Sequence, residues 1–166
     1  ALMTKRPGTG GTTIHASCIA FGAVGVVLRG ASGSGKSDLA FRLIEAGAVL
    51  VADDRVELGV EVGRLIAAAP AELAGRLELR GLGLVELPYV SNITVELIAD
   101  LVSPADIERL PLPGWEDCAG VQIRKVAVAP FEHTAVAKIR IAAYDAVTQP
   151  DPVTCARRLV EDEPIR

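Results

Sequence analysis

An α/β fold is predicted, with sheet dominating the first two-thirds of the chain. Short apolar runs punctuated by glycine recur from Ile14 to Val102, the pattern of strands joined by turns. One of these runs, Val24 to Arg29, leads directly into Gly30-Ala31-Ser32-Gly33-Ser34-Gly35-Lys36-Ser37. A segment with apolar residues at 39, 40, 43 and 44 follows, which is helical spacing. Composition makes a packed core feasible. Of the 166 residues, 50% are hydrophobic and 23% charged, too apolar for wholesale disorder and long enough for one domain. Aromatics are only 4%, so the core is built from Ala, Val, Leu and Ile.

Residues 1–13 (ALMTKRPGTGGTT) read as a polar, mobile arm, with Ala1-Leu2 a cloning scar ahead of Met3. Ile14 to Phe21 and Val24 to Arg29 read as two strands joined by a tight turn. The helix runs over Lys36 to Ala46 and stops at Gly47. Ala48 to Ala52 is an apolar strand ending in Asp53-Asp54. Val56 to Ile66 is further β structure, with turn points at Gly59 and Gly63. Residues 76–88 alternate and soften at Gly81 and Gly83. Thr94 to Val102 and Val121 to Val128 are strands. The segment 103–120 holds Pro104, Pro111, Pro113 and Gly114 and reads as mostly loop. Thr134 to Val147 is Ala-rich and helical. The folded unit thus spans 14–155, and a charged tail covers 156–166.

The formal net charge is −4 and the pI about 5.2, which argues against nucleic acid or an anionic membrane as partner. An anionic ligand needs a local site instead. Cys18, Cys118 and Cys155 lie far apart with no CxxC pattern, so reduced thiols are expected rather than zinc or a disulfide framework. No apolar run approaches the ~20 residues of a membrane helix. No secretory signal opens the chain, so the cytoplasm is the expected compartment.

The segment from Gly30 to Ser37 matches G-x-x-x-x-G-K-[ST] without a mismatch. Glycines let successive backbone N–H groups turn into one concavity, and the helix that follows adds its positive N-terminal end. Lys36 is placed to reach the β- and γ-phosphates, and the Ser37 hydroxyl to hold Mg²⁺. The loop does not select among ATPase, small-molecule kinase, protein kinase and nucleotide-gated module.

Asp53-Asp54 end the strand that follows the helix, where a Mg²⁺-positioning acid or a catalytic base belongs. Neighbouring strand residues face opposite ways, so one Asp is expected toward the phosphates and the other toward the sheet or a neighbour. A plain turn, with Arg55 pairing one acid, is the competing reading. With the first hairpin turning at Gly22 to Gly25, residue pairs sum to about 47. His15 is then expected opposite Ser32, beside the loop, where it could hold a neighbouring Asp or orient a phosphate; a satisfied histidine at a strand start is the competing reading. Glu78 and Arg80, two apart, are expected on one face, as a surface ion pair or as the lining of a site.

In combination these residues resemble the HPr kinase/phosphorylase family, bacterial enzymes that phosphorylate a serine of the phosphocarrier HPr. The resemblance rests on His15, the loop GASGSGKS, the run Leu50-Val51-Ala52-Asp53-Asp54-Arg55-Val56-Glu57 and the run Glu78-Leu79-Arg80-Gly81-Leu82-Gly83. It is close from His15 to about Asp100 and thins beyond. It implies a phosphoenolpyruvate-carboxykinase-like P-loop kinase domain with a mixed, largely antiparallel sheet. It implies ATP in the loop, Mg²⁺ near Ser37 and Glu78, and Asp54 taking the serine proton. His15 and Asp53 would support that base, Lys36 would stabilise transferring charge, and Arg109 aligns with a family active-site arginine. An HPr-like phosphocarrier is the implied partner and a hexamer the family's assembly.

Two departures stand out. By this resemblance the chain is expected to be one of the family's short, catalytic-domain-only forms, without the usual N-terminal domain and ending before the C-terminal helix that contacts HPr in longer members. The family's later proline motif, flanked by arginine and glycine, is Val128-Ala129-Pro130-Phe131-Glu132-His133-Thr134, which argues against the phosphorolytic half reaction. The expected function is ATP- and Mg²⁺-dependent serine phosphorylation of an HPr-like carrier. A small-molecule P-loop kinase and a nucleotide-sensing module without turnover are the alternatives.

Overall fold

The computed structural model describes residues 11–148. The expectations for residues 1–10, for the chain beyond 148 including the tail 156–166, and for Cys155 fall outside that range.

The elements in chain order are β1 (Thr12–Ile14), β2 (Ser17–Phe21), β3 (Val24–Arg29), α1 (Lys36–Glu45), β4 (Val49–Ala52), β5 (Val56–Glu61), β6 (Arg64–Ala68), β7 (Arg76–Leu79), β8 (Gly83–Glu86), β9 (Ile93–Leu101), β10 (Gly114–Cys118), β11 (Val121–Val128) and α2 (Ala135–Thr148). The main sheet runs β1-β5-β6-β9-β3-β2-β4. β9 shares its other edge between two neighbours. Ile93 and Thr94 pair antiparallel with β6, and Leu97 to Leu101 pair in parallel with β11. Among the described residues, the parallel pairs between named strands are β9 with β3 and β9 with β11. The mixed, largely antiparallel sheet is therefore as expected. β7 and β8 form a separate hairpin.

Strand alternation divides the core into two clusters. Ile19, Val26, Leu28, Leu97 and Ala99 pack with Leu39 and Leu43 of α1 and with Ile139 and Ala143 of α2. Cys18, Ala20, Val27, Ile98 and Ile123 pack with Val51, Val56 and Leu65 in the second cluster. Each fully buried Leu or Ile contributes about 1.5–3 kcal/mol of transfer free energy, so the two clusters are built from aliphatic side chains, with Phe21 packed at the margin of the first. A register shift puts Gly25 opposite Val95 but Val26 opposite Leu97. Glu96 is the extra residue, so the inward-facing parity of β9 changes there. Gly25 is needed because a Cβ would lie 2.6 Å from the Thr94 carbonyl oxygen.

Several expectations change. Thr12 and Thr13, read as arm, pair with Leu58 and Glu57 at the sheet edge. Gly59 is not a turn point; it sits inside β5 opposite Ile66, and the turn falls at Val62-Gly63. Most of the segment 103–120 is loop as expected, but its end is not. Its last residues form β10, paired with β11 around the two-residue turn Ala119-Gly120. Cys18 is buried and its thiol is pushed up to about 12 by that burial, consistent with an inert reduced thiol. Among the described residues, no helix is long and apolar enough to cross a membrane.

Candidate active site

The phosphate loop leaves the end of β3 and enters α1. Gly33 and Gly35 take φ of +77° and +93°, and Ser34 N–H closes a turn on the Ala31 carbonyl at 3.0 Å. Gly35 caps α1 with no side-chain bond to the first turn. The unsatisfied N–H groups of that turn and the helix dipole therefore face the loop, which suits an anion. Lys36 is buried. Its Nζ donates to the Gly30 and Ala31 carbonyls at 2.8 and 2.9 Å. An ammonium has three N–H donors, so one remains for a phosphate oxygen.

Asp53 is the hub of the site. It is buried and its Oδ1 accepts from Ser37 Oγ at 2.8 Å and from Ser17 Oγ at 2.7 Å. Its Oδ2 accepts from the Glu78 backbone N–H at a longer 3.4 Å. One carboxylate thus ties together the first turn of α1, the start of β2 and strand β7. Ser37 and Glu78, expected near a metal, are brought to the same carboxylate. Glu78's own side chain is exposed. These donors are all hard oxygens, the set that suits Mg²⁺ shared with phosphate oxygens and water. The fit is by donor chemistry. Among the described residues, no group of three or more His, Cys, Asp or Glu is gathered as a preformed cage.

Asp54 points the other way. Its φ is +66° and the Arg55 N–H bonds back to the Asp53 carbonyl at 2.8 Å. An i→i+2 bond around a residue with positive φ is the rare, strained γ-turn. The two acids diverge because of this turn rather than by strand alternation, since β4 ends at Ala52. The strain leaves the Asp54 carboxylate 61% exposed, 3.1 Å from His15 Nε2. Strained backbone held in place by its surroundings is common where geometry serves function.

His15 reaches this position by a different route from the expected one. The β2–β3 ladder pairs Ser17 with Leu28 and Phe21 with Val24, so pairs sum to 45, not 47. His15 lies outside the ladder, in the bend between β1 and β2, and faces Asp54 rather than Ser32. Arg80 begins the turn after β7 and is exposed, so it does not share a strand face with Glu78. Arg109 is exposed in the segment between β9 and β10 and makes no ion pair with either acid among the described residues.

The sequence reading missed three features. Ser17 is a buried polar residue in an apolar strand, a signal that invites a search for its partner. Arg29, the last residue before the loop, clasps two acids. Its Nε and Nη2 donate to Asp100 at 2.8 and 3.0 Å, and Nη1 and Nη2 donate to Glu116 at 2.6 and 2.9 Å. Lys125 adds a 3.4 Å contact to Glu116. Hydrogen bonding to Arg29 holds the Glu116 carboxyl down at about 2 and pushes the Arg29 guanidinium higher still. This clasp pins β3 to β9 and β10 directly beneath the loop. Finally, Phe131 lies over the loop, so a Cβ on Gly35 would meet its Cζ at 2.8 Å. Arg42 donates to the Pro130 carbonyl, fixing this segment to α1.

The geometry defines a class: a P-loop α/β domain with one acid organising the loop and a second, exposed acid beside it. The family is more specific. Residues 9–139 match the family model described as HPr Serine kinase C-terminal domain, and the chain belongs to that family. The HPr kinase/phosphorylase of Clostridium tetani is 31% identical over 168 aligned positions, covering 91% of this chain and 55% of that protein. That of Bordetella pertussis is 39% identical over 127 positions, covering 69% and 41%. The solved structure of the Hpr(Ser) kinase/phosphatase from Coxiella burnetii matches with a TM-score of 0.74 at 26% identity, covering 84% of this chain and 98% of that one. The chain spans about half the length of the curated relatives it matches. The family read from His15, the loop and the two acidic runs is thus borne out, and so is its kinase fold.

Proposed function

We propose that this domain is an ATP- and Mg²⁺-dependent kinase that phosphorylates a serine of an HPr-like phosphocarrier. The observation that carries the reading is the divided acid pair: Asp53 bonded to the loop through Ser37, and Asp54 exposed against His15. A base buried in the hub would have no access to a protein substrate. An exposed one beside the γ-phosphate position does.

The loop N–H groups and Lys36 bind and orient the phosphates. Asp53 holds the Ser37 hydroxyl, and Ser37 with Glu78 would hold Mg²⁺, which supplies charge neutralisation on the phosphate oxygens when bound. Asp54 accepts the proton of the acceptor hydroxyl as the serine oxygen bonds to the γ-phosphorus. The bond from that phosphorus to the β-γ bridging oxygen breaks and its electrons leave with ADP. His15 orients Asp54. Arg109, which makes no hydrogen bond or ion pair with either acid among the described residues, would act on the phosphates or the acceptor rather than on the base. The reverse, phosphorolytic reaction is not part of the proposal, because the arginine and glycine flanking the family's proline are Ala129 and Phe131 here.

The test is incubation with Mg-ATP and a panel of bacterial phosphocarriers, read by intact mass. One phosphate on a carrier serine, lost with Lys36→Ala, is expected. Tight ATP binding with every carrier unmodified would move the function to a metabolite kinase or a nucleotide sensor.

A further inference from the structure

A hollow of about 390 Å³ opens beside the phosphate loop, lined by Ser34, Leu101, Val102, Pro104, Pro130 and Phe131 among others. Small-molecule sites run from about 300 to 1,000 Å³ and are mostly apolar with a few polar groups, so it has the right size and character. Phe131 is 73% exposed, and its ring lies against Gly35. The adjoining acid, Glu132, is paired with Lys138 at 2.6 Å, so it does not present an unneutralised charge to an anionic ligand.

Strand order decides what occupies it. The loop follows β3, which lies between β2 on one side and β9 on the other. Asp53, Asp54 and His15 stand on the β2–β4 side. The hollow is built from the segments after β9 and after β11, on the opposite side. Ser34 belongs to both loop and hollow, so a phosphate chain crossing the loop has one end at the acid pair and the other at the hollow. The acceptor hydroxyl must approach the acid end. The far end is where the nucleoside lies.

We infer that this hollow takes the base of the nucleotide whose phosphates sit in the loop, with a purine ring stacked on Phe131. The proposal rests on the nucleotide reading above and deepens it. It makes Phe131, Val102 and Pro104 the residues that distinguish a nucleotide from a bare polyphosphate.

The test is calorimetric binding of Mg-ATP and of magnesium tripolyphosphate to the full chain. Base stacking on an aromatic side chain corresponds to roughly 5- to 150-fold in affinity. Phe131→Ala is therefore expected to weaken Mg-ATP about tenfold and to leave tripolyphosphate within about twofold. Val102→Trp, which fills the hollow from another wall, is expected to give the same selective loss. Unchanged tripolyphosphate binding also reports an intact fold. Equal loss for both ligands, or loss for neither, would overturn the base site. Wild-type protein that binds both ligands equally well overturns the base site alone. Wild-type protein that binds neither overturns the nucleotide reading with it.

Discussion

Asp54 sits at a backbone position that suits glycine, and this gives a sign that stability measurements can read. Compare Asp54→Gly with Asp54→Ala. Both remove the carboxylate and its 3.1 Å contact with His15, so that loss cancels between them. Alanine at a φ of +66° costs about 1–2 kcal/mol in the folded state, because Cβ crowds the following carbonyl. Glycine escapes that cost but gives back about 0.4–1 kcal/mol through its freer unfolded chain. The balance leaves the glycine variant more stable by about 0.5–1 kcal/mol. At an ordinary strand or helix position the order is reversed, with alanine ahead by about 0.5–1 kcal/mol. Equilibrium urea unfolding resolves this: with an m-value near 2 kcal/mol/M, the midpoints differ by about 0.3–0.5 M. An alanine variant as stable as the glycine variant, or more so, would refute the strained turn and with it the reason the two acids diverge.

Three further outcomes are expected. Ser17→Ala removes a buried donor from Asp53 (2.7 Å); hydrogen bonds to charged groups are worth about 1.5–3 kcal/mol, so chemical denaturation at neutral pH should show a loss of that order. The Glu116 carboxyl lies at about 2 in the folded state and near 4.5 unfolded, so its stabilisation is complete above pH 4.5 and lost as pH falls toward 2. The stability gap between wild type and Glu116→Gln should therefore close over that window, and a gap constant from pH 6 to 2.5 would contradict the clasp. Gly35→Ala places a methyl 2.8 Å from the Phe131 ring at a φ of +93°; Mg-ATP binding measured by titration should weaken at least tenfold, and wild-type affinity would show that the ring is not seated there.

What the sequence made legible is what short-range rules govern. The strand, loop and helix from Val24 to Glu45 appear almost residue for residue, because turn glycines, the helix start and apolar spacing are encoded within a few positions. Asp53 and Asp54 stood out because they end an apolar strand beside the loop. Their geometry did not: Asp53's partners Ser17, Ser37 and Glu78 lie 36, 16 and 25 residues away, distances no local pattern spans. The first hairpin's register slipped by two because Gly22-Ala23 makes a tighter turn than one reaching Gly25. Strand β10 was hidden because Gly114-Trp115-Glu116-Asp117-Cys118 lacks alternation and its turn uses Ala119 at a φ of +53° rather than Asn or Asp. The Arg29 clasp joins β3, β9 and β10, so it could be found only once the sheet order was known.

Asp54 as the base is the centre of the proposed chemistry, and single-turnover transfer tests it most directly. Wild-type and Asp54→Asn proteins, each loaded with Mg-ATP, are mixed with the phosphocarrier, and carrier phosphoserine is followed by intact mass. Asparagine tolerates positive φ and keeps the side chain's shape, so the fold and ATP binding should persist. Loss of a general base is expected to slow transfer by about 10²–10⁴-fold. Transfer at the wild-type rate by a folded, ATP-bound Asp54→Asn protein would contradict the assignment.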